Sequence, residues 1–85
     1  MAGSVTTVFD HHQRELQSKM TELEHRHGSV ILAKTHIHLD HHTCLEVAIV
    51  RGRAKEVRKL FARLKSLRGV KHSSLTMSTT ARGLE

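Results

Sequence analysis

Val30-Ile31-Leu32-Ala33-Lys34-Thr35-His36-Ile37-His38-Leu39 runs through Asp40-His41-His42 and Thr43 into Cys44-Leu45-Glu46-Val47-Ala48-Ile49-Val50. Two aliphatic, β-branched runs separated by a short polar step read as an antiparallel hairpin. Side chains alternate across a strand, so Ile31, Ala33, Thr35 and Ile37 share one face while Leu32, Lys34, His36 and His38 share the other. Leu45, Val47 and Ile49 alternate in the same way with Cys44, Glu46 and Ala48.

Outward from the hairpin the pattern changes to helical spacing on both sides. Val5 to Phe9 is a short first strand, and Asp10 is placed to cap the helix after it. In that helix Leu16, Met20 and Leu23 form one stripe through Arg26, and Gly28 supplies a stop. Gly52 ends the third strand, and Arg53 to Leu67 forms a second helix with Ala54, Val57, Leu60, Phe61 and Leu64 inward. Gly69 is a C-cap candidate, and Val70 to Met77 is a fourth strand. The order βαββαβ predicts an α+β, ferredoxin-like sandwich: a four-stranded antiparallel sheet with two helices on one face. On this reading Val30, Leu32 and Ala48 sit on the uncovered face beside the histidines, where association of identical sheets would cover them.

Eighty-five residues suffice for one domain with a modest core, built without tryptophan, tyrosine or proline. A domain this small often gains stability by oligomerising. Residues 1–4 and the closing Leu84-Glu85 look like cloning residues, which leaves 5–80 as the domain and 81–85 as a tail. One cysteine excludes an internal disulfide, and neither a secretory signal nor an apolar run of membrane-spanning length is visible, so a cytoplasmic setting is expected. The formal charge is +6, concentrated between Arg51 and Arg68; such a patch attracts polyanions, yet aromatic platforms for nucleic-acid bases are missing.

The chemistry concentrates in the hairpin. His36 and His38 project to one side of a strand, and antiparallel pairing brings Cys44 close to them. Imidazoles and a thiolate suit late first-row divalent ions and fit calcium or magnesium poorly; zinc, copper, cobalt and nickel stay open at this point. Three donors want a fourth. His25 and His27 end the first helix, but the second strand then carries the chain about 30 Å away at ~3.3 Å per residue. His25 is therefore expected to reach the hairpin of a neighbouring subunit, which turns ligand supply into an expectation of oligomers. Glu46, two residues from Cys44, is placed to accept a hydrogen bond from the free nitrogen of a ligand histidine, or to balance Lys34. His11, His12, His41, His42 and His72 read as exposed polar residues, at a density that permits weaker secondary metal sites. No nucleophile-base-orienter set and no glycine-rich phosphate cradle is present.

These residues resemble the C-terminal metal-binding and tetramerisation domain of the nickel-responsive repressor family NikR, from about Thr7 through Met77. The resemblance rests on Asp10-His11, Glu15-Leu16, the His25 region, Thr35-His36-Ile37-His38, Cys44-Leu45-Glu46, Gly52 and Arg68-Gly69-Val70-Lys71-His72. It implies an ACT-like domain and a square-planar Ni2+ site made by His36, His38 and Cys44 with His25 of the partner subunit, with Glu46 hydrogen-bonded behind it and Phe9 as a nearby aromatic. It further implies a homotetramer without catalytic activity that represses nickel-uptake genes. Operator DNA would be bound only through an attached N-terminal ribbon-helix-helix domain, absent from this sequence. The alternative is a generic ACT-like module holding zinc or copper structurally, or a small-molecule effector. A metalloenzyme is weaker still, since Glu46 is the one acid-base group near the site.

Overall fold

The computed structural model describes residues 1–80; the tail expected at 81–85 lies outside them. Its elements are β1 (Ala2–Asp10), α1 (Arg14–Arg26), β2 (Ile31–His38), β3 (Thr43–Arg51), α2 (Ala54–Lys65) and β4 (Val70–Ser78). The strands form one antiparallel sheet in the order β2-β3-β1-β4, with β1 and β3 central. No helix among the described residues is long and apolar enough to cross a membrane.

Both helices bury the stripes their sequences advertise. Leu16, Met20 and Leu23 of α1 and Val57, Leu60 and Leu64 of α2 pack on Val5 and Phe9 of β1 and on Cys44, Ala48 and Val50 of β3. Removing each large side chain from water is worth about 1.5–3 kcal/mol. The buried hydroxyls of Thr7 and Ser73 are tolerated because they hydrogen-bond each other at 3.1 Å.

The sheet faces are the reverse of the sequence expectation. Cys44, Glu46, Ala48 and Val50 point under the helices, whereas Leu45, Val47 and Ile49 occupy the open face. Val30 and Ala48, expected on the uncovered face, are 7% and 1% exposed. Strict alternation also fails in β2, where the register shifts between Ile31 and Ala33. The irregularity at Leu32 puts Ile31 against the core and leaves Leu32 exposed. From Lys34 onward the side chains paired with Ala48, Glu46 and Cys44 face the helix side: Lys34, His36 and His38.

Smaller departures sit at the ends of elements. β1 begins at Ala2, so residues 2–4 pair with both neighbours; a Cβ at Gly3 would collide with the Thr76 carbonyl oxygen, which keeps that position a glycine. Asp10 does not cap α1. Its Oδ1 accepts from the His12 amide at 2.9 Å in the preceding turn, and Gln13 is the N-cap without a side-chain bond. α2 runs to Lys65 and not Leu67.

Gly69 has φ +98° and its carbonyl accepts from the Asp10 amide at 2.9 Å, so it ties the start of β4 to the end of β1. A Cβ there would lie 2.9 Å from Leu16 Cδ2 and 3.0 Å from Gln13 Cγ. Gly69→Ala is expected to cost about 1–3 kcal/mol, read as a lower urea midpoint at unchanged slope.

Candidate metal centre

Register sets the site. His38 stands directly across from Cys44, and His36 across from Glu46, all on the helix side of the hairpin. On the next strand Phe9 pairs with Cys44, so the end of β1 delivers His11, two residues further on, to the sulfur. The turn leaving β1 is then pinned to the hairpin tip by the His11 amide donating to the His42 carbonyl at 2.7 Å. The hairpin tip is itself closed by Asp40, whose Oδ1 accepts from the His42 and Thr43 amides, each at 2.8 Å.

The result is a sulfur between two imidazoles. Cys44 Sγ lies 3.5 Å from His38 Nδ1 and 3.4 Å from His11 Nδ1, and the three donor atoms fall within 4.8 Å of one another. The His11 and His38 rings meet edge to face, their centroids 4.5 Å apart. His36 is next to them: its ring stacks at 6.2 Å from that of His38 and meets the edge of Phe9 at 5.2 Å. Phe9 is thus the floor on which His36 rests. From sequence His11 reads as an exposed residue with at most a secondary metal role; what brings it to the sulfur is the pairing of β1 with β3.

Burial acts on two groups of the hairpin in opposite directions. Burial, then the neighbouring His38, holds His36 below the usual histidine range. Burial, then the Asp40 charge, pushes the Cys44 thiol up. A neutral imidazole is already a competent ligand, whereas the thiol must release its proton to a metal. The donor spacing fits a metal: bonds of ~2.3 Å to sulfur and ~2.1 Å to nitrogen would separate the donors by ~3.1 Å at a right angle and ~3.6 Å in a tetrahedron. The two sulfur–nitrogen separations, 3.4 and 3.5 Å, lie between these values.

His25 is not brought to the cluster. It is exposed on α1, beside a surface hollow lined by Thr21, Gly28, Leu32, Ala33 and Lys34. His12 and His42 are exposed, with ring centroids 5.0 Å apart, and His41 and His72 are exposed as well. His27 Nε2 lies 3.3 Å from Arg63 Nη1.

Behind His36 is a cavity of about 100 Å3 whose polar walls are Gln17, Thr21, Glu24, Lys34 and Glu46. Lys34 Nζ lies 2.8 Å from Glu24 Oε1 and 3.9 Å from Glu46 Oε1. Burial, together with the adjacent Glu24 carboxylate, raises the Glu46 carboxyl to about 8. One ammonium and two carboxyl groups are neutral overall if Glu46 keeps its proton. A protonated Glu46 also offers the donor that the buried Glu24 Oε2 otherwise lacks. In this structure the polar partners of Glu46 are therefore Glu24 and Lys34, not a histidine ring.

The strand order and the two helices on one sheet face define a ferredoxin-like domain of the ACT type, here with a thiol-imidazole cluster at the end of its hairpin. Residues 2–78 match the family described as the NikR C terminal nickel binding domain, and the chain belongs to that family. It is 45% identical over 84 residues to a putative nickel-responsive regulator of Nitratidesulfovibrio vulgaris (strain Miyazaki F), covering 99% of this chain and 60% of that protein. A putative nickel-responsive regulator of Geobacter sulfurreducens is 49% identical over 82 residues, covering 96% of this chain and 59% of that one. The chain thus spans about 60% of the length of such relatives. Among solved structures, an uncharacterized protein of Thermotoga maritima superposes with a TM-score of 0.79 at 14% identity, covering 88% of this chain and 92% of that one. The ACT domain of the GTP pyrophosphokinase of Chlorobium tepidum gives 0.71 at 12%, covering 89% and 97%. At these identities the two structures speak to the fold alone.

Proposed function

We propose that the chain is the nickel-sensing and self-assembling part of a nickel-responsive transcriptional repressor of nickel-uptake genes, without catalytic activity of its own. The observation that carries the reading is Cys44 Sγ set against imidazole nitrogen at the end of a His-x-His strand, in a chain whose relatives are named nickel-responsive regulators. His36, His38 and Cys44 are assigned as ligands from one chain, and His25 of the partner subunit as the fourth. The outward placement of His25 supports a donor that serves another copy. Nickel, when bound, brings a preference for planar coordination with a thiolate, which zinc with its filled d shell does not share. The protein supplies the rest: Phe9 floors His36, the β2–β3 register fixes His38 over Cys44, and burial holds the sulfur protonated until a cation displaces the proton.

The open sheet face supports association into a homo-oligomer, a tetramer in this reading. Its half nearest β2 is apolar, with Ile37 and Ile49 exposed beside Leu45 and Val47, while the half toward β4 carries Ser4, Thr6, Ser74 and Thr76. Apolar surface of this kind is covered by a second copy more economically than by water. Operator reading is assigned to a part of the protein outside this chain.

One observation favours a second arrangement of the same metal. His11, His38 and Cys44 meet within a single chain, so a cation can be held there before His25 of the partner subunit arrives. Titration of metal-free protein with nickel, followed by visible and thiolate charge-transfer absorption, separates the two. The shared site predicts a planar nickel-thiolate spectrum at one metal per chain, lost in His25→Ala and recovered when His25→Ala and Cys44→Ser chains are mixed. A spectrum indifferent to His25 and lost in His11→Ala would replace the shared site with the single-chain one.

A further inference from the structure

Nine of the fourteen lysines and arginines lie between Arg51 and Lys71, a segment with one acid, Glu56. On α2 they occupy the outer half of the helix. With Val57, Leu60 and Leu64 inward and ~100° per residue, Arg58 and Lys65 fall on one flank, Lys55 at the crest, and Lys59 and Arg63 on the other flank. All five are exposed. None joins an ion pair among the described residues, where the recorded pairs belong to α1, Lys34 and Glu46. The contrast with α1 is direct, since its outer surface is balanced by Glu15–Lys19 and Glu22–Arg26.

The positive field extends past the helix. His27, at the end of α1, is held below the usual histidine range by burial and then by Arg63 and Lys59. Like charges at Lys55–Lys59 and Lys59–Arg63 each cost an isolated helix about 0.2–0.5 kcal/mol, an expense that a polyanion on this face would remove. The chemistry also narrows the polyanion. Phe61, the one aromatic on α2, is half-buried with the Lys65 ammonium 5.7 Å from its ring centroid, so no platform is free for an unpaired base. Asn and Gln, which pair with adenine edges, are absent from residues 51–71. A helix of 12 residues is about 18 Å long and spans about five nucleotides of one strand at ~3.4 Å each.

We propose that the outer face of α2 docks the phosphate backbone of double-stranded DNA without sequence preference. The surface is distinct from the metal centre, and its role rests on the repressor reading above. Its role is to hold the domain against the duplex that another part of the protein reads.

The test is fluorescence anisotropy of a labelled random-sequence duplex against the whole chain, metal-free, across a salt series. Three to five phosphate contacts predict a slope of log K against log salt between about −2.7 and −4.5. Arg58→Glu/Lys59→Glu/Arg63→Glu should weaken binding at least tenfold and flatten the slope by about 2.7, whereas Lys19→Glu/Arg26→Glu on α1 should leave it unchanged. Far-UV circular dichroism checks folding, and the corresponding three glutamine substitutions carry the test if the charge reversal does not fold. Absence of salt-dependent binding, or a slope indifferent to the α2 substitutions, overturns the proposal. So does competition by polyglutamate, or by phosphatidylserine vesicles, at least as effective as that by duplex of equal charge; either result would assign the face to an acidic protein or to a lipid surface.

Discussion

Cys44→Ser should lower nickel affinity by more than about 100-fold and abolish thiolate-to-nickel charge transfer, because loss of a ligand exceeds the ~10–100-fold cost of losing a residue behind one. Serine keeps the volume and withdraws the soft donor, so the variant separates ligation from packing. The buried sulfur lies within hydrogen-bonding reach of His11 Nδ1 and His38 Nδ1, and a serine hydroxyl can bond the same nitrogens, which leaves the fold little reason to fail. Nickel competition against a chromophoric chelator gives the affinity, and His12→Ala, an exposed ring outside the donor cluster, is the control. Affinity should also fall as pH drops, since burial and Asp40 raise the thiol and the metal must displace its proton. Parental affinity in Cys44→Ser would remove the sulfur from the site and, with it, the basis for choosing nickel over zinc.

Topology was legible because each element buries a stripe at its own period: Leu16, Met20 and Leu23 at helical spacing, and the hairpin at spacing two. The choice of sheet face was not. Both faces of β3 carry apolar side chains, Leu45, Val47 and Ile49 against Cys44, Ala48 and Val50, so alternation identifies the faces without ranking them. What tips the reading from sequence is Glu46, since a carboxylate is seldom buried alone. Lys34 and Glu24 make that burial possible, and they come together only in three dimensions, ten residues apart on β2 and α1. The irregularity at Leu32 adds a second obstacle by shifting the parity of β2.

The donor set divides in the same way. His38 and Cys44 are neighbours because the hairpin register makes them so, which is local information and readable from spacing. His11 reaches the sulfur through the pairing of β1 with β3, a contact between residues 33 apart that no spacing rule reveals. His25 was expected to lie away from its own hairpin, and among the described residues it is outside the donor cluster. The basic run was equally visible in sequence, but the placing of five of its members on the solvent face of α2, without acid partners among the described residues, needed the packed helix.

The buried carboxyl pair makes stability depend on pH in an uncommon direction. Glu46 titrates at its ordinary 4.5 in the unfolded chain and is raised to about 8 in the folded one. Between those values the native state holds a proton that the unfolded state has released, so stability falls with rising pH. The contribution is fully present below about 4.5 and is lost as pH rises through about 8. Lys34 does not reverse this, because its strongest tie is to Glu24 and its pKa moves up, leaving it charged throughout. Glu46→Gln keeps a donor toward Glu24 and cannot ionise. The metal-free variant should therefore match the parent near pH 5 and exceed it at pH 8 by on the order of 1–2 kcal/mol. For a domain of this size each kcal/mol moves Tm by about 4–8 °C, well within calorimetric reach at fixed protein concentration. Parallel stability profiles for Glu46→Gln and parent from pH 5 to 8 would mean that Glu46 is ionised in the native state, and the neutral Lys34–Glu24–Glu46 set would have to be abandoned.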